Sequence, residues 1–125
     1  MLFDTDILIW VKQGHEKASD WIDREDARMI SILTYMELIQ GARAQKEVQS
    51  IKNFLKDLNF SILPLTENIG HRASIYMEEY SFTSGLRLGD AIIAATATEN
   101  SLTLATGNQK HFKGIRDLAL QIFHP

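Results

Sequence analysis

The sequence predicts one α/β domain with three layers, α/β/α, in which helices cover both faces of a central, mainly parallel sheet of four to five strands. Three observations lead to this prediction. Short apolar runs of strand length alternate with helical segments along the whole chain, an order typical of parallel sheets. The length of 125 residues suits a single domain over residues 1–125. The hydrophobic fraction of 45% and the charged fraction of 23% are ordinary for a globular protein.

The predicted strands are short apolar runs that end at polar residues, a proline or a turn. The chain opens with a strand at residues 1–3, whose apolar side chains stop at two acids. Later runs are four or five residues long and are rich in β-branched, leucine or aromatic residues. These later predicted strands cover residues 29–32, 60–64, 102–105 and 119–123.

Most of the predicted helices show apolar residues at helical spacing. The segment 45–58 places its apolar residues on one face and Lys and Gln on the other, which indicates a surface helix with one buried stripe. The long segment 66–80 also carries an inward apolar face. The other predicted helices of this part cover residues 7–11, 17–24 and 34–41.

The helix that begins at Asp90 differs from the others. No charge lies between Asp90 and Glu99, so this segment is expected to be buried nearly all round. An ionised carboxylate at the mouth of a buried helix has lost water and needs donors, a cation or the helix N-terminus. Asp90 alone would be interpreted as a simple N-cap after Gly89. The interpretation changes if other acids lie at the same place.

Charge and composition narrow the function classes. The net charge of −3 gives no general attraction to nucleic acid, so contact with a polyanion requires local basic residues or bound metal ions. The absence of cysteine excludes disulfides and thiolate metal sites and fits a cytoplasmic protein. Asp4 and Asp6 interrupt the apolar start, which argues against a signal peptide. No apolar run approaches the ~20 residues of a membrane-spanning helix.

Four oxygen-bearing side chains are expected at one edge of the sheet. Each follows a predicted strand or lies in the first turn of the next helix, and in open α/β sheets ligands bind outside the carboxyl ends of the strands. Carboxylates and an amide make an all-oxygen site suited to Mg²⁺ or Mn²⁺. These candidate catalytic residues are Asp4, Glu37, Asp90 and Asn108.

Each of the four also has a purely structural interpretation. Thr34 and Glu37 match a capping box, in which Glu37 would only reach back to a backbone N–H. Asp4 and Asp6 would cap the helix that follows them, and Asn108 is a common turn residue. Their arrival together at one edge favours the site over these separate interpretations.

Four motifs lie at residues 2–9, 31–41, 89–97 and 104–112 and together span nearly the full chain. In sequence and order these motifs resemble those of PIN-domain ribonucleases, and within them the VapC-like toxins of type II toxin–antitoxin pairs. The ordered set is far more specific than any one motif.

The resemblance implies a PIN-like fold and an endoribonuclease that depends on Mg²⁺ or Mn²⁺. It implies that Asp4, Glu37 and Asp90 hold the metal, and that water attacks an RNA phosphodiester to leave a 5′-phosphate and a 3′-hydroxyl. Thr5 and Thr106 are expected to support the acids with their hydroxyls.

The chain departs from the family pattern at two places. Asp6 stands where many relatives carry Asn, and it either adds a charge or caps the helix. Asn108 occupies the fourth position, and His111 stands where many relatives have a further Asp. One bound ion and two bound ions both remain open on this pattern.

The resemblance also implies partners. Family members form homodimers and are blocked by a cognate VapB-like antitoxin, often through a basic side chain. RNA would be steered by basic residues near the last motifs, each of which could equally lie on a solvated face. These weak RNA-binding candidates are Arg87, Lys110, Lys113 and Arg116, with Arg43 as a lesser one, and His111 is the one histidine near the edge.

Two other classes of protein match this sequence less well than a ribonuclease does. An aspartyl-phosphate phosphatase would start with a similar Asp-x-Asp motif but needs a later Lys and a further Asp pair. A receiver-type signalling module needs an Asp at the end of the middle strand, where residues 62–65 offer none. The remaining alternative is a PIN-like domain without catalysis that acts as an RNA- or protein-binding module.

Overall fold

The central sheet has five strands, all parallel, in the order β3-β2-β1-β4-β5. The computed structural model describes all residues from 1 to 125. It confirms the predicted α/β/α fold class, with the fifth strand present and no antiparallel pair. The strands are β1 (Leu2–Phe3), β2 (Arg28–Ser31), β3 (Phe60–Leu63), β4 (Leu104–Thr106) and β5 (Leu120–Ile122).

Seven helices connect and cover the strands. The predicted helices are all present, with ends that differ from the predicted ends by up to two residues. One short helix after β4 was not predicted, since its four residues are too few to show a periodic pattern. The helices are α1 (Thr5–Lys12), α2 (Glu16–Arg24), α3 (Ile32–Gln40), α4 (Gln45–Asp57), α5 (Glu67–Tyr80), α6 (Leu88–Glu99) and α7 (Gln109–Phe112).

Two apolar clusters fill the space between the sheet and its two helix layers. Neighbouring residues of a strand point to opposite faces, so Leu2 belongs to one cluster and Phe3 to the other. The Leu2 face packs against α5, α6 and α7, and the Phe3 face packs against α1, α2, α3 and α4. Residues 91 and 93–97 of α6 are all buried, which confirms the prediction of a nearly enclosed helix.

The chain order places a crevice beside β1. From β1 the chain builds outward through β2 to β3, and it then returns to the opposite side of β1 to build β4 and β5. The connections therefore leave the carboxyl ends of β1 and β4 in opposite directions, and an open α/β sheet binds ligands at such a point. No helix of the chain is both long and apolar enough to span a bilayer.

Candidate active site

Asp4 lies at the centre of this crevice. It follows β1 directly, and its side chain is only 7% exposed. One carboxylate oxygen, Oδ1, accepts a hydrogen bond from the Thr5 backbone N–H at 2.8 Å. The other, Oδ2, accepts from the hydroxyl of Thr106, the last residue of β4, at 2.7 Å. Asp4 therefore caps α1 and also joins the two strands of the crevice through its contact with Thr106.

Asp6 lies beside Asp4 in the first turn of α1. Its Oδ2 accepts from the Gly107 backbone N–H at 3.0 Å, whereas its Oδ1 is buried and has no hydrogen-bond partner. Gly107 permits this approach because a Cβ there would lie 2.6 Å from the Trp10 ring and 3.1 Å from Asp6 Oδ2. A buried carboxylate oxygen without a donor is costly, and a cation would compensate it.

The acids perturb one another electrostatically. Burial and the neighbouring Asp6 raise the pKa of Asp4 from 3.8 to about 7, against the opposing effect of its two hydrogen bonds. Burial also raises the pKa of Asp6, and the charge of Asp90 raises the pKa of both. No Lys or Arg forms an ion pair with any of the predicted site acids. The crevice therefore holds several carboxylates without a Lys or Arg to neutralise them.

Glu37 reaches the same place from α3. Its Oε1 accepts from the Thr5 hydroxyl at 2.7 Å, so Thr5 is in direct contact with this acid. The predicted capping box is wrong, because α3 begins at Ile32 and is capped by Ser31, whose hydroxyl oxygen accepts from a backbone N–H at 3.0 Å. Glu37 consequently lies in the second turn of the helix, and its carboxylate does not cap the helix.

The Asp90 carboxylate accepts a capping hydrogen bond and also contacts a neighbouring side chain of the site. Helix α6 begins at Leu88, so Asp90 is the third residue of the helix and not the first as predicted. Its Oδ2 accepts from the Arg87 backbone N–H at 3.1 Å, a partial cap, and also lies 2.8 Å from Nδ1 of His111. Both recorded bonds use one oxygen, so Oδ1 remains for another ligand.

Asn108 and His111 complete the edge. The Asn108 side-chain nitrogen lies 2.8 Å from the same His111 Nδ1 that contacts Asp90. An ionised Asp90 only accepts, so Nδ1 must carry the proton, and the Asn108 amide is then best placed with its oxygen towards the ring. The sequence analysis missed this bond between His111 and Asp90. Asn108 and His111 are three residues apart, a spacing that would have indicated their contact only if helix α7 had been recognised.

The residues fit a hard divalent cation by their chemistry. The donors are carboxylate and hydroxyl oxygens, with an amide and one imidazole at the edge, and Asp6 Oδ1 is buried without a partner. No three His, Asp or Glu side chains lie close enough together, as placed, to ligate one ion. Holding one ion with three acids would therefore require at least one of these side chains to rotate from its present position.

The predicted basic residues do not form one patch. Arg87 precedes α6 at the site, and Lys110 and Lys113 are exposed in and just after α7. Arg116 instead lines a separate cavity of about 480 Å³ against α5. Arg43 lines a groove of about 690 Å³ that Glu37 also lines.

Comparison with known proteins agrees with this geometry. The sequence matches the PIN domain over residues 1–118. It is 38% identical over 116 residues to Ribonuclease VapC10 of Mycobacterium tuberculosis, which covers 90% of this chain and 85% of that protein. It is 32% identical to Ribonuclease VapC1 of Rickettsia felis, over 94% of this chain and 92% of that one.

A solved structure extends the comparison. A chain of a toxin–antitoxin complex from Klebsiella pneumoniae superimposes with a TM-score of 0.79 at 35% identity, covering 94% of this chain and 93% of that chain. The sequence motifs, the strand order and these relatives all agree. The chain belongs to the PIN-domain family, among the VapC ribonucleases.

Proposed function

We propose that this protein is a metal-dependent endoribonuclease toxin whose activity resides in the crevice between β1 and β4. The observation that carries the proposal is the pair of buried Asp4 and half-buried Asp6, which has raised pKa values, one buried oxygen without a partner and no Lys or Arg neighbour. The ribonuclease class follows from the family, and a toxin of this family is neutralised by a VapB-type antitoxin.

Three acids would hold Mg²⁺ or Mn²⁺ in this crevice: Asp4, Glu37 and Asp90. When bound, such an ion supplies Lewis-acid chemistry, which activates water and stabilises charge on a phosphodiester. The protein keeps the acids in place through Thr106, Thr5 and His111, each of which contacts one carboxylate. Asp6 adds negative charge beside Asp4 and is itself held by Gly107.

The decisive experiment substitutes Asp90 by Asn. Asp90→Asn keeps the shape of the side chain and its acceptor for the Arg87 N–H but removes the charge. We expect the variant to fold, to lose cleavage of total bacterial RNA, and to lose growth arrest on induced expression. Sequencing the 5′ ends produced after brief expression would also identify the RNA target.

A matched control is Asp117→Asn, which removes a carboxylate that pairs with Arg72 outside the crevice. This variant should cleave RNA as the wild type does. Equal growth arrest by the wild type and by Asp90→Asn would refute the catalytic assignment. Metal-independent RNA binding without cleavage would then favour the alternative of a non-catalytic PIN-like binding module.

The antitoxin would dock in the groove between α1, α3 and α4. Ile9, Leu38 and Ile51 give this groove an apolar lining, and Glu37 lies at its edge, where it would attract a basic side chain of the partner. Co-expression of a small protein encoded immediately beside this gene, followed by copurification, tests the pairing. Ile9→Asp should release the partner without changing cleavage by the free protein.

A homodimer is proposed on the exposed apolar side chains near the site. Met36 is 48% exposed on α3 and Leu88 is 65% exposed at the start of α6, so a second copy packed there would bring two acidic crevices together. Light scattering of the purified protein measures the state, and Leu88→Glu should shift a dimer to a monomer. A wild-type monomer at high concentration would refute this assembly.

A further inference from the structure

The hydroxyl of Thr34 lies beneath the candidate site and has no assigned role. Thr34 is fully buried in the first turn of α3. Its Oγ1 lies 3.0 Å from Oγ1 of Thr5, which in turn lies 2.7 Å from Oε1 of Glu37. The three side chains therefore form one chain of hydrogen bonds that runs from a buried hydroxyl to an acid of the site.

The direction of these bonds follows from the available protons. An ionised Glu37 only accepts, so the Thr5 hydroxyl donates its single proton to it. Thr5 Oγ1 can then offer Thr34 only a lone pair, and the hydrogen bond between the two hydroxyls must be donated by Thr34. Thr34 thereby holds the Thr5 hydroxyl in the rotation that points its proton at Glu37.

Glu37 depends on this arrangement because little else restrains it. The side chain is exposed, has three rotatable bonds, and receives its one side-chain hydrogen bond from Thr5. We propose that Thr34 is a positioning residue for Glu37, acting through Thr5 to hold the Glu37 carboxylate beside Thr5 at the crevice. This inference rests on the proposed function of the crevice.

The test compares Thr34→Val with Thr34→Ser. Val keeps the branched shape and buried volume but removes the hydroxyl, whereas Ser keeps the hydroxyl. With the RNA site that the wild type cleaves fastest as substrate, kcat of Thr34→Val should fall about three- to tenfold, the effect of losing one hydrogen bond. Thr34→Ser should restore most of kcat, and KM should change by less than about twofold in both variants.

Calorimetric titration with Mn²⁺ alone gives a readout that does not depend on RNA. The Mn²⁺ affinity of Thr34→Val should fall by about three- to tenfold because Glu37 is less often in place. Thr96→Val is the matched control, since Thr96 is equally buried and its hydroxyl donates only to the Ile92 carbonyl of its own helix, at 2.7 Å. This control should bind Mn²⁺ as the wild type does.

A double variant separates action through Thr5 from a general packing effect. If Thr34 acts only through Thr5, then Thr5→Val with Thr34→Val should be no less active than Thr5→Val alone. Additive losses would overturn the proposal. If Thr34→Val does not fold, Thr34→Ala replaces it in every comparison, because it also lacks the hydroxyl.

The proposal and the proposed function fail in different ways. A wild type without Asp90-dependent cleavage refutes the function. A wild type with Asp90-dependent cleavage, whose Thr34→Val variant matches Thr96→Val in kcat and in Mn²⁺ affinity, refutes the positioning role alone.

Discussion

Two clusters of acids in this protein are built on opposite principles. In one, Arg72 of α5 pairs with Glu99 and, at 2.6 Å, with Asp117, and the Tyr76 hydroxyl donates to Asp117 at 2.8 Å. In the other, Asp4 is buried, Asp6 beside it is half-buried, and neither has a basic partner. In the first cluster the chain itself supplies a cation, Arg72, and in the second it supplies none.

The contrast separates acids that stabilise the fold from acids that are available for a ligand. Burial of uncompensated carboxylates costs free energy, and here it appears as raised pKa values at Asp4 and Asp6. Sites that bind or react often carry such a cost, because a bound cation can recover it. The comparison therefore predicts opposite responses of the two clusters to metal, pH and substitution.

Removal of divalent ions should give the largest difference. Chelation by EDTA should lower RNA cleavage by about a thousandfold or more, and excess Mg²⁺ or Mn²⁺ should restore it. In calorimetry, Asp4→Asn should abolish detectable Mn²⁺ binding, whereas Glu99→Gln in the Arg72 cluster should bind as the wild type does. Equal loss of binding in the two variants would show that the crevice is not the metal site.

The pH dependence of stability should be the next largest effect. The pKa of Asp4 is about 7 in the folded protein and 3.8 ordinarily, so the folded state binds more protons than the unfolded state between these values. The stabilisation by protonation is complete below about pH 4 and is lost as the pH rises through 7. For metal-free protein it amounts to at most about 4 kcal/mol from this one carboxyl.

Chemical denaturation in EDTA at several pH values between 5 and 8 measures this slope. Asp4→Asn should remove most of it, while Glu99→Gln should leave it unchanged. Saturating Mn²⁺ should flatten the slope in the wild type, because the ion competes with protons for the same oxygens. A slope that is unchanged in Asp4→Asn would contradict the pKa assigned to this group.

Gly107→Ala should have a smaller effect that is confined to the cluster of Asp4 and Asp6. The added Cβ would lie 2.6 Å from Trp10 and 3.1 Å from Asp6 Oδ2, so Trp10 or the 106–108 turn must move. We expect a loss of about 1–3 kcal/mol in unfolding free energy and a weaker hold on Asp6. Gly70→Ala is the control, since nothing lies within 4 Å of its added Cβ.

The fold was largely predictable because each strand is a separate apolar run and most helices show a clear period. The candidate acids were also found from sequence, since each follows a strand or lies early in a helix. The start of α3 was not, because Ser31 and Thr34 are both good capping residues by local chemistry. In the structure Ser31 caps α3, and the Thr34 hydroxyl contacts Thr5, 29 residues away in sequence.

The contact made by His111 was also not predictable from local sequence. Its ring contacts Asp90, which lies 21 residues away in sequence, and a helix of four residues has no periodic signal that would orient the ring. Local patterns therefore predicted which side chains reach the edge of the sheet. The hydrogen bonds that fix them there depend on contacts between distant segments.

Substitution of Arg72 by Met should give the smallest effect and tests the Arg72 cluster directly. Met keeps much of the aliphatic packing but leaves Glu99 and Asp117 without their cation. The Arg72 side chain is 35% exposed, so water screens the loss, and we expect about 1 kcal/mol of destabilisation in urea denaturation. RNA cleavage and Mn²⁺ affinity should stay at wild-type values, because this cluster contributes no ligand to the crevice. A Mn²⁺ affinity that rose in Arg72→Met would mean that its released acids bind the ion, and that the missing cation alone creates a site.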